Sequence, residues 1–205
     1  MNTKNLLGLF VKFPETGKVK TRLAKEIGFD NAAKAYKMIA ERVLVKTYPD
    51  NSDYERLIFY SPGNMKVQFR NWLYGERLIA QKGRHIGEKM SYGLRKMFDI
   101  GAGKAVITGV DIPELSSEIV RQAFIELNHT DIVIGPAMDG GYYLIGMKSL
   151  HADIFRNIPW STDRVFEKTV SVIRKLKLKH KTLVTLFDVV RLDDLIKARE
   201  IFRDL

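Results

Sequence analysis

Apolar residues follow two alternating patterns along the chain. Continuous apolar runs, typical of buried strands, occupy 6–12, 56–60, 78–81, 105–110, 131–137, 142–147 and 182–187. Between them, apolar residues recur at intervals of three and four, as in amphipathic helices, over 30–46, 65–73, 86–98, 117–127, 163–176 and 192–202. This alternation favours a mostly parallel sheet covered by helices on both faces. It predicts an α/β fold, a Rossmann-like three-layer sandwich, as a single domain over residues 1–205.

Composition narrows the class of protein. The chain has 205 residues, the size of one α/β domain and enough to bury a core. It has no cysteine, which excludes disulfides and thiolate metal ligands, and its four histidines are scattered without zinc-site spacing. No apolar run reaches membrane-spanning length, and the first residues lack a signal-peptide pattern. We expect a cytoplasmic protein without a membrane span; the oligomeric state stays open.

The formal net charge is +10, from 34 Lys and Arg against 24 Asp and Glu. Such a surplus attracts polyanions, so nucleic acid, phosphorylated metabolites and a merely solvated surface all fit. Much of it lies at 174–181, the end of a predicted helix, where cations also favour the helix dipole. Nucleic-acid surfaces interleave exposed aromatic with basic residues, whereas the aromatic residues here lie mostly in apolar runs. Nucleic acid is therefore a disfavoured partner.

The segment FVKFPETGKVKTRL, residues 10–23, follows the first predicted strand and carries the first candidate site. Gly17 leaves backbone N–H groups free to meet phosphate, and Lys12, Lys20 and Arg22 can reach its oxygens. The segment matches neither the Walker P-loop nor the dinucleotide-binding glycine pattern. By composition alone, an ordinary surface turn with lysines fits as well as a phosphate site.

Asp111 is the second candidate, because it follows a buried strand directly and stands between Gly109 and Pro113. A carboxylate there suits a hard divalent cation, and Mg²⁺ typically combines one or two carboxylates with substrate phosphates. The alternative is a turn or capping aspartate ahead of the next helix. Ser116 and Ser117 are better placed as caps, which leaves Asp111 for another role.

The third candidate is Asp139 with Gly140 and Gly141, at the end of a strand. The glycines permit a positive φ and close approach of a ligand, but Asp-Gly between two strands is also a hairpin signal. If Asp111 and Asp139 converge, they repel by about 4 kcal/mol at 4 Å and an effective dielectric of 20. A cation between them, or a raised pKa on one, would then be required.

Two further segments have plainer interpretations. His85 lies in a turn between a predicted strand and a helix. Trp160 favours a packing role, and one of Ser161, Thr162 and Asp163 is expected to cap the helix that follows.

Taken together, these segments resemble a family of bacterial transferases in the nucleotide-diphospho-sugar transferase superfamily, which has the glycosyltransferase-A fold. The resemblance covers nearly the whole chain, through an ordered set of motifs. They are Phe10-x-Lys12-x-Pro14-x-x-Gly17-x-x-Lys20-Thr21-Arg22-Leu23, Gly109-x-Asp111-x-Pro113-x-Leu115, Gly135-Pro136-Ala137-x-Asp139-Gly140-Gly141-Tyr142-Tyr143-Leu144-Ile145-Gly146 and Pro159-Trp160-Ser161-Thr162. More distantly, the chain is similar to 2-phospholactate and molybdenum cofactor guanylyltransferases.

The resemblance implies roles for the motif residues. The nucleotide would be bound by Lys12, Pro14, Gly17, Lys20, Thr21, Arg22 and Gly109. Mg²⁺ or Mn²⁺ would be held by Asp111 and Asp139, and a small acceptor by Gly140, Gly141, Tyr142 and Trp160. The residues expected to take part in catalysis are Lys20, Arg22, Asp111 and Asp139.

The chain departs from the family at two places. Related sequences often carry Asp-x-Asp-Thr-x-x-Asp-Leu near the end, whereas this chain keeps Asp188 and Asp194 but has Val190 and Arg191 between them. Where Gly-Asp-Leu-Gly-x-Arg-Met is usual, this chain has His85 for the Asp and Lys89 for the Arg.

The leading hypothesis is a metal-dependent transferase with an NTP or nucleotide-sugar donor and a small acceptor. Lys20 and Arg22 would neutralise phosphate charge, and the ion on Asp111 would stabilise the departing group. Nucleotidyl and glycosyl transfer both stay open. The alternatives are a degenerate relative that binds a nucleotide without turnover, and a nucleic-acid-binding protein driven by the basic charge.

Overall fold

The computed structural model describes residues 4–49, 51 and 53–202 as a sheet of seven strands with helices on both faces. The strands are β1 (Lys4–Lys12), β2 (Glu55–Ser61), β3 (Leu78–Ala80), β4 (Ala102–Gly109), β5 (Ile132–Pro136), β6 (Tyr142–Met147) and β7 (His180–Thr182). The helices are α1 (Thr21–Ile27), α2 (Phe29–Lys46), α3 (Lys66–Trp72), α4 (Ile86–Asp99), α5 (Ser117–Glu126), α6 (Val165–Lys175) and α7 (Leu192–Ile201). Short 3₁₀ turns lie at Gly63–Met65 and Ala152–Phe155.

The strand order is β3-β2-β1-β4-β6-β5-β7, and all neighbours are parallel except those of β6. β6 runs antiparallel to both β4 and β5 because a short turn joins it to β5. It therefore starts at the edge of the sheet where β4 and β5 end. The mostly parallel α/β fold is confirmed.

Alternation along each strand sends side chains to two separate cores. From β1, Leu7, Leu9 and Val11 pack with α1, α2, α3, α5 and α7 on one face. Leu6 packs on the other face with α4 and α6, where Leu94, Met97 and Ile173 are buried. Burial on both faces explains why the strands appear in the sequence as continuous apolar runs.

The structure corrects two predicted elements and adds one. The last strand is β7, not 182–187: its ladder with β5 ends at the Ile134–Thr182 pair. Beyond it, residues 183–187 contact β5 at isolated points, through the Leu183 N–H to the Ile134 carbonyl and a bridge of Leu186 to Ala137. Helix α6 begins after Arg164, which occupies the N-cap, so the expectation that Ser161, Thr162 or Asp163 caps it is wrong. The helix α1 was not predicted.

Helix α1 is short and carries basic residues, so its periodicity is weak in the sequence. Leu23 is nonetheless fully buried, and Val19 just ahead of the helix is buried with it. Ser116, in contrast, does occupy the N-cap of α5, although its side chain makes no capping hydrogen bond. Within the described residues, no helix is both long and apolar enough to span a bilayer.

Leu23→Ala should lower the free energy of unfolding by about 2–5 kcal/mol, because it opens a cavity under α1. Lys25→Ala, in the same helix but exposed, should stay within about 0.5 kcal/mol of wild type. Urea denaturation of both variants measures the difference. Equal losses in the two would show that α1 is not anchored through Leu23.

Candidate active site

The connections that carry the candidate residues lie at the carboxyl ends of parallel strands. They follow β1, β4, β5 and β7 and comprise residues 13–20, 110–116, 137–141 and 183–191. In open α/β sheets a ligand crevice forms at this edge. The first two connections meet there directly, because β1 and β4 are parallel neighbours.

Lys20 and Asp111 form the central contact between these connections. Lys20 Nζ lies 2.8 Å from Asp111 Oδ2 across 91 residues of sequence, and the two side chains are 9% and 37% exposed. Burial opposes ionisation of Asp111, but the Lys20 ammonium outweighs it, and Lys12 adds to the effect. The pKa of Asp111 is therefore lowered, so the carboxylate is charged at neutral pH.

A cavity of about 200 Å³ adjoins this ion pair. Its wall includes the carboxylates of Asp111, Asp139 and Asp188, together with Gly109 and Thr108. The pKa of Asp188 is raised to about 6, mainly by burial; Lys20 opposes the rise, and Asp111 and Asp139 add to it. The repulsion expected between converging carboxylates is thus present, with Asp188 as the group whose proton affinity rises.

A second cavity, of about 520 Å³, continues from the first. Both are lined by Ile86, Met90, Asp139, Gly141 and Tyr142. The wider one is further lined by Arg22, Trp160, Ser161, Thr162, Asp163 and Val165. The two cavities form one crevice. Its narrow end is lined by carboxylates, one of which is paired with Lys20, and its wide end has an aromatic, hydroxyl-bearing wall.

The turn between β5 and β6 forms the wall that the cavities share. Asp139 Oδ1 accepts the Gly141 N–H at 2.8 Å, and Gly140 adopts φ +85°. A Cβ on Gly140 would stand 2.0 Å from the carbonyl oxygen of Asp163. The Asp-Gly pair is therefore a hairpin turn and a cavity wall at once, so the two interpretations of this sequence do not exclude each other.

Tyr142 and Trp160 meet at the wide end, with ring centroids 6.4 Å apart in an edge-to-face arrangement. The Tyr142 hydroxyl is buried beside Thr169 without a hydrogen bond of normal geometry, and burial raises its pKa. Tyr142 therefore offers the crevice an aromatic ring and no titrating proton near neutral pH.

The departures from the family pattern have structural roles of their own. His85 is the N-cap of α4, its Nδ1 accepts the Glu88 N–H at 3.4 Å, and its ring stacks on Trp160 at 6.0 Å. Asp194 accepts the backbone N–H groups of Val190 and Arg191, at 3.0 and 2.9 Å, at the start of α7. Of the two retained acids, only Asp188 lines the crevice.

The remaining motif residues lie at the rim or outside the cavities. Six predicted site residues line neither cavity: Lys12, Pro14, Gly17, Lys20, Thr21 and Gly140. Of these, Lys20 contacts Asp111, which lines the narrower cavity. Gly17 has φ +78° in open surroundings. The backbone N–H of Lys12 donates to the Tyr36 hydroxyl at 2.8 Å, while its side chain is exposed.

Sequence reasoning gave Asp188, Ser161, Thr162 and Asp163 no firm place in the site. Asp188 follows the last strand, and this position was the available signal. The three residues after Trp160 face the wider cavity through a loop that no periodicity marks.

No three Asp, Glu or His side chains in the described part of the chain stand close enough together to hold a metal ion by themselves. A Mg²⁺ ion that takes one or two carboxylates and completes its shell with phosphate and water needs no such cluster. The three carboxylates that share the narrow cavity, with Lys20 as the paired cation of Asp111, fit a cation of this kind.

The architecture is similar to that of several solved structures. One is a protein of Desulfovibrio desulfuricans G20 that carries a provisional assignment as a nucleotide-diphospho-sugar transferase. The two sequences are 33% identical, and the structures match with a TM-score of 0.90 over 98% of this chain and 95% of that one. The 4-diphosphocytidyl-2C-methyl-D-erythritol synthase of Anaerococcus prevotii DSM 20548 shares the fold at 11% identity, TM-score 0.65, over 98% and 99% of the two chains. Molybdopterin-guanine dinucleotide biosynthesis protein A of Archaeoglobus fulgidus does so at 17%, TM-score 0.61, over 98% and 100%.

The fold and the crevice at its strand ends define an enzyme of the nucleotide-diphospho-sugar transferase superfamily, as the resemblance implied. Among curated proteins, none matches the chain by sequence. The model of one family, described as "uncharacterized protein conserved in bacteria" (DUF2064), matches residues 44–162, more than half of the chain. The chain belongs to this bacterial family.

Asp188→Asn should stabilise the metal-free protein at neutral pH but not in acid. The raised pKa means that the folded state holds the Asp188 proton more tightly than the unfolded state does. The wild type therefore loses stability as pH rises from about 4 to about 6, and Asn removes this loss. Thermal midpoints measured with a chelator at pH 4 and 7.5 check the window. A constant difference between the two proteins would contradict the burial of an acid here.

Gly140→Ala should destabilise the hairpin more than Gly17→Ala destabilises its loop. Both residues have a positive φ, which costs alanine about 1–2 kcal/mol. Only at position 140 would the new methyl group also meet backbone, at Asp163. Chemical denaturation of the two variants compares them. Losses of equal size would show that the contact with Asp163 relaxes freely.

Proposed function

We propose that this protein is a metal-dependent transferase that takes an NTP or a nucleotide sugar as donor and passes a nucleotidyl or glycosyl group to a small acceptor. The observation that carries the proposal is the contact of Lys20 with Asp111 beside a crevice of two unlike compartments. A polyanion with a divalent ion needs both a cation and a carboxylate at one point, and this pair supplies them.

The narrow end suits the phosphates of the donor. Lys20 is held in place by Asp111, and Arg22, two residues further on in α1, lines the wide cavity. Their charges would neutralise phosphate oxygens and orient the donor along the crevice. Glycine fits at position 109 because a Cβ there would stand 2.9 Å from Asp111 Oδ1 and crowd the carboxylate.

The carboxylates of Asp111 and Asp188 are the groups that would hold Mg²⁺ or Mn²⁺, with Asp139 on the acceptor side. When bound, the ion would bridge phosphate oxygens and stabilise the charge of the departing group. Two structures of the same fold, at 9% and 12% identity, are complexes with CTP and with manganese, respectively. They support the choice of donor and ion without identifying either for this chain.

The wide end suits the acceptor. Tyr142 and Trp160 offer aromatic surface, and Ser161, Thr162 and Asp163 offer hydroxyl and carboxylate oxygens. Gly140 and Gly141 let the backbone approach the ligand from the hairpin side. An acceptor bound there would face the donor across Asp139, which lines both cavities.

Asp111→Asn should abolish the contribution of Mg²⁺ to nucleotide binding, which we expect to be about tenfold or more, while the fold stays intact. Asn is nearly isosteric and accepts the same local hydrogen bonds, so a turn residue would tolerate the change. Calorimetric titration with and without Mg²⁺, using the nucleotide that most raises the thermal midpoint, measures the contribution.

Asp99→Asn is the matched control, because Asp99 is an exposed acid at the end of α4, paired with Lys96 and away from the crevice. Equal Mg²⁺ effects in wild type and Asp111→Asn would remove Asp111 from the site. Pyrophosphate release identifies nucleotidyl transfer, and nucleoside diphosphate release identifies glycosyl transfer. Binding without either product would favour the degenerate relative.

A further inference from the structure

One oxygen of the Asp111 carboxylate is already engaged by the protein itself. Asp111 Oδ2 accepts a hydrogen bond from Lys20 Nζ at 2.8 Å. The Lys20 side chain is 9% exposed, so its ammonium is placed at this carboxylate and does not point into solvent. A divalent ion therefore cannot bind Asp111 Oδ2 without meeting the Lys20 ammonium.

A second observation concerns the backbone of Lys20. Its φ of 46° and ψ of 44° are left-handed, an uncommon conformation for a residue with a side chain. Lys20 sits at the N-cap of α1, where the exposed loop at 15–18 joins the buried helix anchor. Strain of this kind persists only where surrounding contacts fix it, and Lys20 has the backbone contact to Ala24 and the side-chain contact to Asp111.

The charges around the pair are unequal. Asp139 and Asp188 line the same cavity as Asp111, whereas Lys20 lies beside the cavity and is ion-paired with Asp111. Lys20 therefore supplies positive charge next to a cavity whose wall carries three carboxylates. Removing the Lys20 charge leaves a site that attracts cations more strongly. A bound phosphate would offer the Lys20 ammonium another anionic partner.

We infer that Lys20 is the resident counter-ion of Asp111, and that the phosphates of an incoming nucleotide draw its ammonium away before a divalent ion binds Asp111. The inference rests on the proposed function for the identity of the phosphate ligand. It makes binding of ion and nucleotide cooperative, since each favours the state in which the ion pair is broken. It also predicts that the ion alone binds weakly.

The test is a titration of Mn²⁺ alone into nucleotide-free protein, followed by the electron paramagnetic resonance signal of free Mn²⁺. Lys20→Gln should bind Mn²⁺ about tenfold more tightly than wild type, a coupling of ordinary size. A residue that merely assists ion binding would give the opposite sign. Lys20→Arg keeps a cation at Asp111 and should keep the weak affinity of wild type. Lys20→Met serves in place of Lys20→Gln if the latter does not fold.

Lys18→Gln is the matched control, because it removes the same charge from the same loop at an exposed position that makes no ion pair among the described contacts. A gain as large as that of Lys20→Gln would reflect general charge and would overturn the inference. So would an unchanged or lower affinity in Lys20→Gln. The double variant Lys20→Gln/Asp111→Asn should lose the gain; if the gain persists, the ion is not at Asp111 and the inference also fails.

This comparison involves no nucleotide, so its outcome is separate from that of the proposed function. A wild type that binds no nucleotide contradicts the proposed donor, while the Mn²⁺ affinities still show whether Lys20 blocks Asp111. Conversely, nucleotide binding together with equal Mn²⁺ affinities would leave the transferase proposal standing and remove the counter-ion role.

Discussion

The parallel pairing of β1 with β4 is the constraint on which the site depends. Because the two strands run side by side, the residues that follow them leave the sheet at the same edge, and Lys20 reaches Asp111 across 91 residues. Strand β5 ends at this edge as well, and the turn that joins it to the antiparallel β6 adds Asp139 to the same place. One register of hydrogen bonds thus assembles charged groups from three distant parts of the chain.

Much of this architecture can be predicted from the sequence because the strands are buried on both faces. Runs such as 105–110 and helical spacing such as 30–46 are strong signals, and β4 and α2 lie there. Elements with weak sequence signals were missed or given wrong bounds. The helix α1 has few apolar positions, and the strand expected at 182–187 leaves the β5 ladder after Thr182 and contacts β5 only at isolated points beyond it. The extent of the domain, 1–205, stays a prediction.

The site was less accessible to prediction than the fold. Asp111, Asp139 and Lys20 could be proposed as candidates because each follows a predicted strand or its loop. Their mutual arrangement could not, since a contact such as that of Lys20 with Asp111 depends on strand order and on a left-handed backbone that no spacing reveals. Asp163 was missed for a different reason. Its position before a helix predicted a capping role, whereas in the structure it lines the wide cavity.

The start of helix α7 is hydrogen-bonded to helix α1. The Leu192 N–H donates to Glu26 Oε2 at 3.1 Å, so the start of α7 is tied to α1, the helix that continues from Lys20. Val189, just before α7, donates to the carbonyl oxygen of Asp111 at 3.3 Å. The segment from Val189 to Leu192 is therefore hydrogen-bonded both to the helix that continues from Lys20 and to the backbone of Asp111, which ties together the two elements that carry the ion pair.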